Sequence, residues 1–302
     1  MVDTIVTMPP YAPFIGDVVK HPLVKGLRIN TVMPTKGSLE DTLKRLQDQV
    51  QDKDLWIDLK CRQLRVKTFG VPPFTEIELT HNISVDTPIT AYFSDGKDHA
   101  TVLAVDGNRL IMQEGPQRVI GPGESINIPH YSLKIDGFLT ETDQKYLEIG
   151  KKIGLKNYML SFVESKDDIT TFQKLYPEAN IVAKIESHKG LDYVTNDWHN
   201  ESRLMGARGD LYVELKKPHQ IIRAMQDIII KDPNAIAASR ILGSFSQSLE
   251  PSCADIGDVD SLIRMGYKTI MLGDDICQRR ESVLSALNLL YELNQQYEKT
   301  KP

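Results

Sequence analysis

Cysteine is scarce in this chain of 302 residues: Cys61, Cys253 and Cys277 make an odd number, without CxxC spacing or a Cys/His grouping. A disulfide framework and a thiolate zinc site are therefore not expected, and reduced thiols in a cytoplasm fit best. No apolar run approaches the roughly 20 residues that span a bilayer, so no membrane partner is expected. The N-terminal stretch lacks the basic n-region and apolar h-region of a signal peptide. An excess of positive charge is missing too. A net charge of −5 argues against sequence-independent binding of nucleic acid. What remains is an ordinary soluble composition, 41% hydrophobic and 25% charged. The length suits one α/β barrel with a modest insertion.

Short apolar runs alternate with segments of helical spacing, the pattern of βα units. Eight candidate strands occupy 3–7, 27–32, 55–60, 158–163, 180–186, 204–208, 235–240 and 268–272. Amphipathic stretches lie between most of them, including 38–51 with Leu39, Leu43, Leu46 and Val50, and 218–230 with Ile221, Ile222, Met225, Ile228 and Ile229. The segment 279–299 reads as a long closing helix. One stretch breaks the alternation: between about 66 and 129 the pattern holds only short β-like runs, at 75–80, 88–93, 100–105, 109–113 and 125–128. Turn signals such as Asp106-Gly107-Asn108 and Gly121-Pro122-Gly123 separate them. The alternating apolar residues favour a folded insertion over a disordered loop. The expected architecture is a (β/α)8 barrel from 1–65 and 130–302, with a small all-β domain, 66–129, inserted after the third strand as a lid.

Functional groups in parallel barrels gather at the C-terminal ends of the strands, where alternate side chains point into the lumen. Polar residues should therefore appear there at i and i+2. Arg28 and Asn30, Asp58 and Lys60, and Lys184 and Glu186 do so, with apolar residues between them. Ser161 lies between Leu160 and Phe162, and Arg208 and Asp210 flank Gly209. Barrel interiors also hold self-contained ion pairs, and Lys184 with Glu186 could be one. So many charges at one end are costly to bury without a ligand. Glu186 and Asp210, from neighbouring strands, suit a hard cation with oxygen ligands, Mg2+ first and Mn2+ next. Ligands are too few for a calcium cage, and no His/Cys set suits zinc. His188, two residues past Glu186, reads as a rim histidine in a loop.

These residues carry a likeness. Ala183-Lys184-Ile185-Glu186-Ser187-His188-Lys189-Gly190-Leu191, followed by Leu204-Met205-Gly206-Ala207-Arg208-Gly209-Asp210-Leu211, closely resembles the paired signature of pyruvate kinases. The likeness runs on through 128–169, Ala238-Ser239-Arg240-Ile241-Leu242 and 254–271, and back to Arg28-Ile29-Asn30 and Ile57-Asp58-Leu59-Lys60. It implies that Glu186 and Asp210 hold the metal and that Lys184 stabilises charge on a transferred phosphoryl group and an enolate oxygen. Arg28 would grip the phosphoryl group, and the amides of Gly209 and Asp210 the substrate carboxylate. Ser239, in place of the family's threonine, would keep a hydroxyl near the protonated carbon. Arg208, Asn30 and Ser161 complete the expected substrate-binding set, and Asp58, Lys60 and Arg65 stand on the nucleotide or cation side.

Departures fall on that nucleotide and potassium side. The family's Asn-Phe-Ser-His-Gly reads Asn30-Thr31-Val32-Met33-Pro34 here, and its Asp-Thr-Lys-Gly-Pro-Glu reads Asp58-Leu59-Lys60-Cys61-Arg62-Gln63. The family's Ser-Gly-Glu-Thr after the last strand is replaced by Gly273-Asp274-Asp275-Ile276. K+ is accordingly not expected. A counterpart of the family's C-terminal regulatory domain is not expected. A homo-oligomer, with a dimer as the guess, is the expected assembly. Three functions compete. The first is Mg2+-dependent phosphoryl transfer between phosphoenolpyruvate and ADP/ATP. The second is nucleotide-free lyase, aldolase or decarboxylase chemistry on a 2-oxoacid through its enolate. The third is an inactive metabolite-binding barrel.

Overall fold

Apolar side chains on both faces of short parallel strands, with amphipathic helices between them, close into a barrel in the computed structural model, which describes residues 2–299. Met1 and residues 300–302, which the expected barrel segments include, lie outside the described residues. The chain opens with β1 (Asp3–Thr7), α1 (Ile15–Val19), β2 (Val24–Asn30), α2 (Leu39–Val50) and β3 (Asp54–Leu59). It then makes seven short strands: β4 (Glu76–Glu78), β5 (Ile83–Ser84), β6 (Ile89–Phe93), β7 (Asp98–Asp106), β8 (Arg109–Met112), β9 (Ile126–Asn127) and β10 (Lys134–Ile135). The barrel resumes with α3 (Glu141–Lys152), β11 (Asn157–Leu160), α4 (Lys166–Leu175), β12 (Asn180–Ile185) and α5 (His188–Asn196). It finishes with β13 (Arg203–Ala207), α6 (Arg208–Glu214), α7 (Gln220–Lys231), β14 (Ile236–Ala238), α8 (Cys253–Met265), β15 (Thr269–Leu272), α9 (Asp274–Cys277) and α10 (Arg280–Lys299). Barrel order is β1-β15-β14-β13-β12-β11-β3-β2, and every neighbouring pair is parallel.

The period of two sorts each strand by depth and by face. Leu55, Ile57 and Leu59 of β3 face the helices, as do Ile181, Ala183 and Ile185 of β12. Their neighbours point inward. Ile5, Trp56, Met159, Val182, Met205, Ile236 and Met271 fill the lower lumen as a separate apolar cluster. Gly26 makes room for Trp56, since a Cβ there would stand 3.1 Å from the indole. One step of two residues further up, the lumen turns polar: Trp56 gives way to Asp58, Met159 to Ser161, and Val182 to Lys184. The floor is apolar and the mouth is charged.

Helix caps fix the loops at that mouth. Thr140 accepts from the amide of Asp143 at 3.0 Å, opening α3. The Asp143 carboxylate, completely buried, reaches across to accept from the amides of Lys60 at 2.8 Å and Cys61 at 2.9 Å. It thereby holds the turn at Cys61, whose φ is 45°. Phe162 (φ 50°) and Ser239 (φ 66°) turn the chain in the same left-handed way just past β11 and β14. This is why those strands stop at Leu59, Leu160 and Ala238 rather than at the expected 60, 163 and 240. At β12 and β13 the next helix begins almost at once, and strands expected to reach 186 and 208 end at Ile185 and Ala207.

Between β3 and α3 there is no helix among the described residues. A five-stranded antiparallel sheet in the order β4-β8-β7-β6-β9 forms, with β5 and β10 paired beside it. Its own core gathers Leu64, Ile77, Leu79, Phe93, Val102, Leu110, Ile120, Ile126 and Ile128. The fold is thus a (β/α)8 barrel with a small β domain inserted after the third strand.

Candidate functional site

Asp58 is the centre of the mouth. It is fully buried, and its Oδ2 accepts from Arg28 Nε at 2.9 Å and Lys60 Nζ at 3.1 Å. Arg28 Nη2 reaches the same oxygen. Its Oδ1 accepts from Ser161 Oγ and Lys184 Nζ, both at 3.3 Å. Burial opposes ionisation of this carboxyl, but Lys184, Lys60 and Arg28 outweigh it and hold the group well below the usual carboxylate range. Arg28 and Lys184 also have Asp274 and Glu186 as counter-ions. At Lys60, burial first, with Lys184, Arg65 and Arg28 adding to it, lowers the amine from 10.5 to about 7 against the pull of Asp58.

Lys184 links this cluster to the two acids. Its Nζ donates to Ser161 Oγ at 2.9 Å and pairs with Glu186 Oε1 at 3.0 Å. Burial disfavours its charge, yet Asp58 and Glu186 raise its pKa. The other oxygen of Glu186 accepts from the Phe162 amide at 2.9 Å. Asp210, in the first turn of α6, accepts from Gln63 Nε2 at 2.8 Å and Asn127 Nδ2 at 3.1 Å. Burial first, and the Glu186 carboxylate second, push Asp210 up from 3.8 to about 7. Both acids are therefore buried, close enough to repel, and left with lone pairs to offer. That donor set fits a hard divalent cation that takes one or two carboxylates and fills its shell with water and substrate oxygens. No group of three or more His, Cys, Asp or Glu side chains suited to a metal occurs among the described residues, so the fit is to such a shared site and not to an all-protein cage.

A cleft of about 400 Å3 opens over these groups. Arg28, Asn30, Lys60, Arg65, Lys184, Glu186, Gly209, Asp210 and Ser239 line it. Gly209 faces Ser239, and an added Cβ would come within 3.4 Å of that serine. Val32 and Met33 stand at the mouth. Arg208 is placed elsewhere. Its guanidinium makes a fork with Asp258 of α8, both bonds at 2.7 Å, and donates to the carbonyls of Ser239 and Arg240, fixing the turn after β14. His188 begins α5 and does not sit in a loop. Its Nδ1 is 3.7 Å from Glu214 and its ring packs edge-on against Tyr131, away from the two acids.

The inserted β domain borders the cleft. Asp95 and Ser125 line its upper wall. Arg240 Nη2 donates to the carbonyl of Asp95 at 3.3 Å, and Arg65 donates to the carbonyl of Gly123. Asn127 Nδ2 bridges Asp210 and Glu214, the latter at 3.2 Å. Three groups were not foreseen from the sequence: Gln63 and Asn127, which hold Asp210, and Asp274. Asp274 accepts from Arg28 Nη1 at 3.1 and 3.2 Å and from Asn30 Nδ2 at 2.9 Å. Its one signal in the sequence is the altered loop at 273–276.

Fold and cleft together define a (β/α)8 barrel with an inserted β domain, and with an acidic pair and a basic cluster at the C-terminal ends of its strands. A family model described as the pyruvate kinase barrel domain matches residues 49–279, and the chain belongs to the pyruvate kinase family. The pyruvate kinase of Clostridium acetobutylicum is 29% identical over 196 residues, 62% of this chain and 41% of that protein. That of Lactobacillus delbrueckii subsp. bulgaricus is 30% identical over 198 residues, 62% of this chain and 33% of its own. The pyruvate kinase of Methanocaldococcus jannaschii is 26% identical over 275 residues, covering 84% of this chain and 60% of that protein. The chain spans between 33% and 60% of the length of these relatives. No helix among the described residues is long and apolar enough to cross a membrane.

Proposed function

We propose that the cleft binds phosphoenolpyruvate, or the 2-oxoacid made from it, together with Mg2+ or Mn2+, and transfers the phosphoryl group to ADP. The observation that carries this reading is the triangle of Lys184, Glu186 and Asp210: a buried amine 3.0 Å from one of two mutually repelling carboxylates. Glu186 and Asp210 would hold the cation, which when bound supplies positive charge for the substrate's carboxylate and enol oxygens. The chain's own groups do the rest. Lys184 stabilises charge on the enol oxygen as its bond to phosphorus breaks and the nucleotide oxygen bonds in its place. Arg28 orients the phosphoryl group, and the first-turn amides of Gly209 and Asp210 receive the carboxylate. Ser239 brings a hydroxyl to the side where the methylene carbon takes a proton. Ser161, which accepts from Lys184, positions that amine, and Asn30 lines the cleft as a substrate contact.

A second reading, nucleotide-free cleavage or decarboxylation of a 2-oxoacid through its enolate, draws on the commitment of Arg28 and Asn30 to Asp274. A coupled assay of the pure protein with phosphoenolpyruvate, ADP and Mg2+, with and without K+, separates the two. Pyruvate formation without a K+ requirement is expected. Absence of turnover with every nucleotide, alongside release of carbon dioxide or an aldehyde from a 2-oxoacid, would replace the first reading with the second.

A further inference from the structure

Arg28 has five N–H donors. Nε and Nη2 go down to Asp58, and Nη1 goes to Thr7 Oγ1 and to both oxygens of Asp274. Asn30, the next lumen-facing residue of β2, gives its amide to the same Asp274 at 2.9 Å. The two donors that face the anion subsite are therefore already bonded to a carboxylate of the chain itself.

We propose that Asp274 is an internal gate on that subsite, standing where a phosphoryl group would bind, so that a phosphorylated substrate enters only by displacing it. The inference rests on the reading that Arg28 receives the phosphoryl group. The two counter-ions of Arg28 differ in a way that makes one of them removable. The Asp58 side chain is 0% exposed and is tied to Lys60, Ser161 and Lys184 as well, whereas the Asp274 side chain is 38% exposed. Asp274 opens the four-residue helix α9, and at Gly273 before it an added side chain would meet nothing within 4 Å. Because its side chain already reaches solvent, the carboxylate has water to turn into once another anion takes Arg28 and Asn30. A phosphoryl dianion offers Arg28 more charge than the carboxylate it replaces. A ligand that carries only carboxylate and enolate oxygens, such as oxalate, uses the Lys184 and Glu186–Asp210 side and leaves the gate shut. Asp274 is thus a specificity-determining residue that weakens phosphorylated ligands relative to unphosphorylated ones.

Calorimetry on the full chain with Mg2+, titrating oxalate and phosphoenolpyruvate separately, tests this. Asp274→Ala removes the gate, and Asp274→Asn keeps its shape without its charge should the alanine variant fold poorly. The expected result is phosphoenolpyruvate binding tightened about tenfold or more in either variant, with oxalate affinity changed less than about twofold. Unchanged or weakened phosphoenolpyruvate binding, with oxalate still bound, overturns the gate and leaves the reading of the cleft standing. Failure of oxalate to bind wild type and variants alike overturns that reading, and the gate falls with it.

Discussion

Asp58 has two oxygens, and Arg28, Lys60, Ser161 and Lys184 share them. Removing its charge would leave Lys60 without its carboxylate and Arg28 and Lys184 with only Asp274 and Glu186, a loss in the range of about 3–5 kcal/mol when one partner of a buried pair is deleted. Asp58→Asn should therefore lower the urea midpoint markedly, and a midpoint within experimental error of wild type would show the cluster to be solvated. Asp210 gives the opposite sign. Its folded-state pKa, about 7, lies above the ordinary 3.8, so the folded metal-free protein holds a proton that the unfolded chain releases. The associated stability is fully present below pH 3.8 and is lost as the pH rises through about 7. Comparing wild type with Asp210→Asn in the absence of metal should show wild type losing stability relative to the variant as the pH rises from about 4 to about 7. Parallel stability curves for the two proteins would refute this.

Among the described residues of the inserted domain, Asn127 donates to an acid of the candidate metal site. Asn127→Ala deletes the bonds to Asp210 and Glu214, each worth about 1 kcal/mol. Amide exchange at 94–96 and 121–125 should quicken and Mn2+ affinity should fall several-fold. Unaltered exchange and affinity would make Asn127 a bystander. The strands that present the cleft were readable in advance because burial on one face imposes a period of two: Trp56, Asp58 and Lys60, or Val182, Lys184 and Glu186, had to share a face. Helices such as the one at 38–51 were readable from apolar stripes such as Leu39, Leu43, Leu46 and Val50. Gln63, Asn127 and Asp274 were not, since each meets its partner across a gap of 83 or more residues that only the closed barrel brings together. Arg208 shows the reverse failure. It sits beside Gly209 and Asp210 in sequence, but the onset of α6 turns its side chain toward Asp258.

At the scale of the molecule, a barrel with an apolar floor stacks its charge at one end, beside the inserted β domain. The cations gathered on Asp58, one of them also held by Asp274, and the repelling carboxylates at Glu186 and Asp210 lie side by side, joined by Lys184. Each half of such an arrangement is relieved by an opposite charge, an anion for the first and a cation for the second. The measurement that bears most directly on this is a Mn2+ titration followed by electron paramagnetic resonance, with and without oxalate. One Mn2+ per chain is predicted, held more tightly when oxalate is present, and lost in Glu186→Gln and Asp210→Asn while both variants keep their thermal transition. Mn2+ binding that ignores oxalate, or that survives both substitutions, would contradict the account.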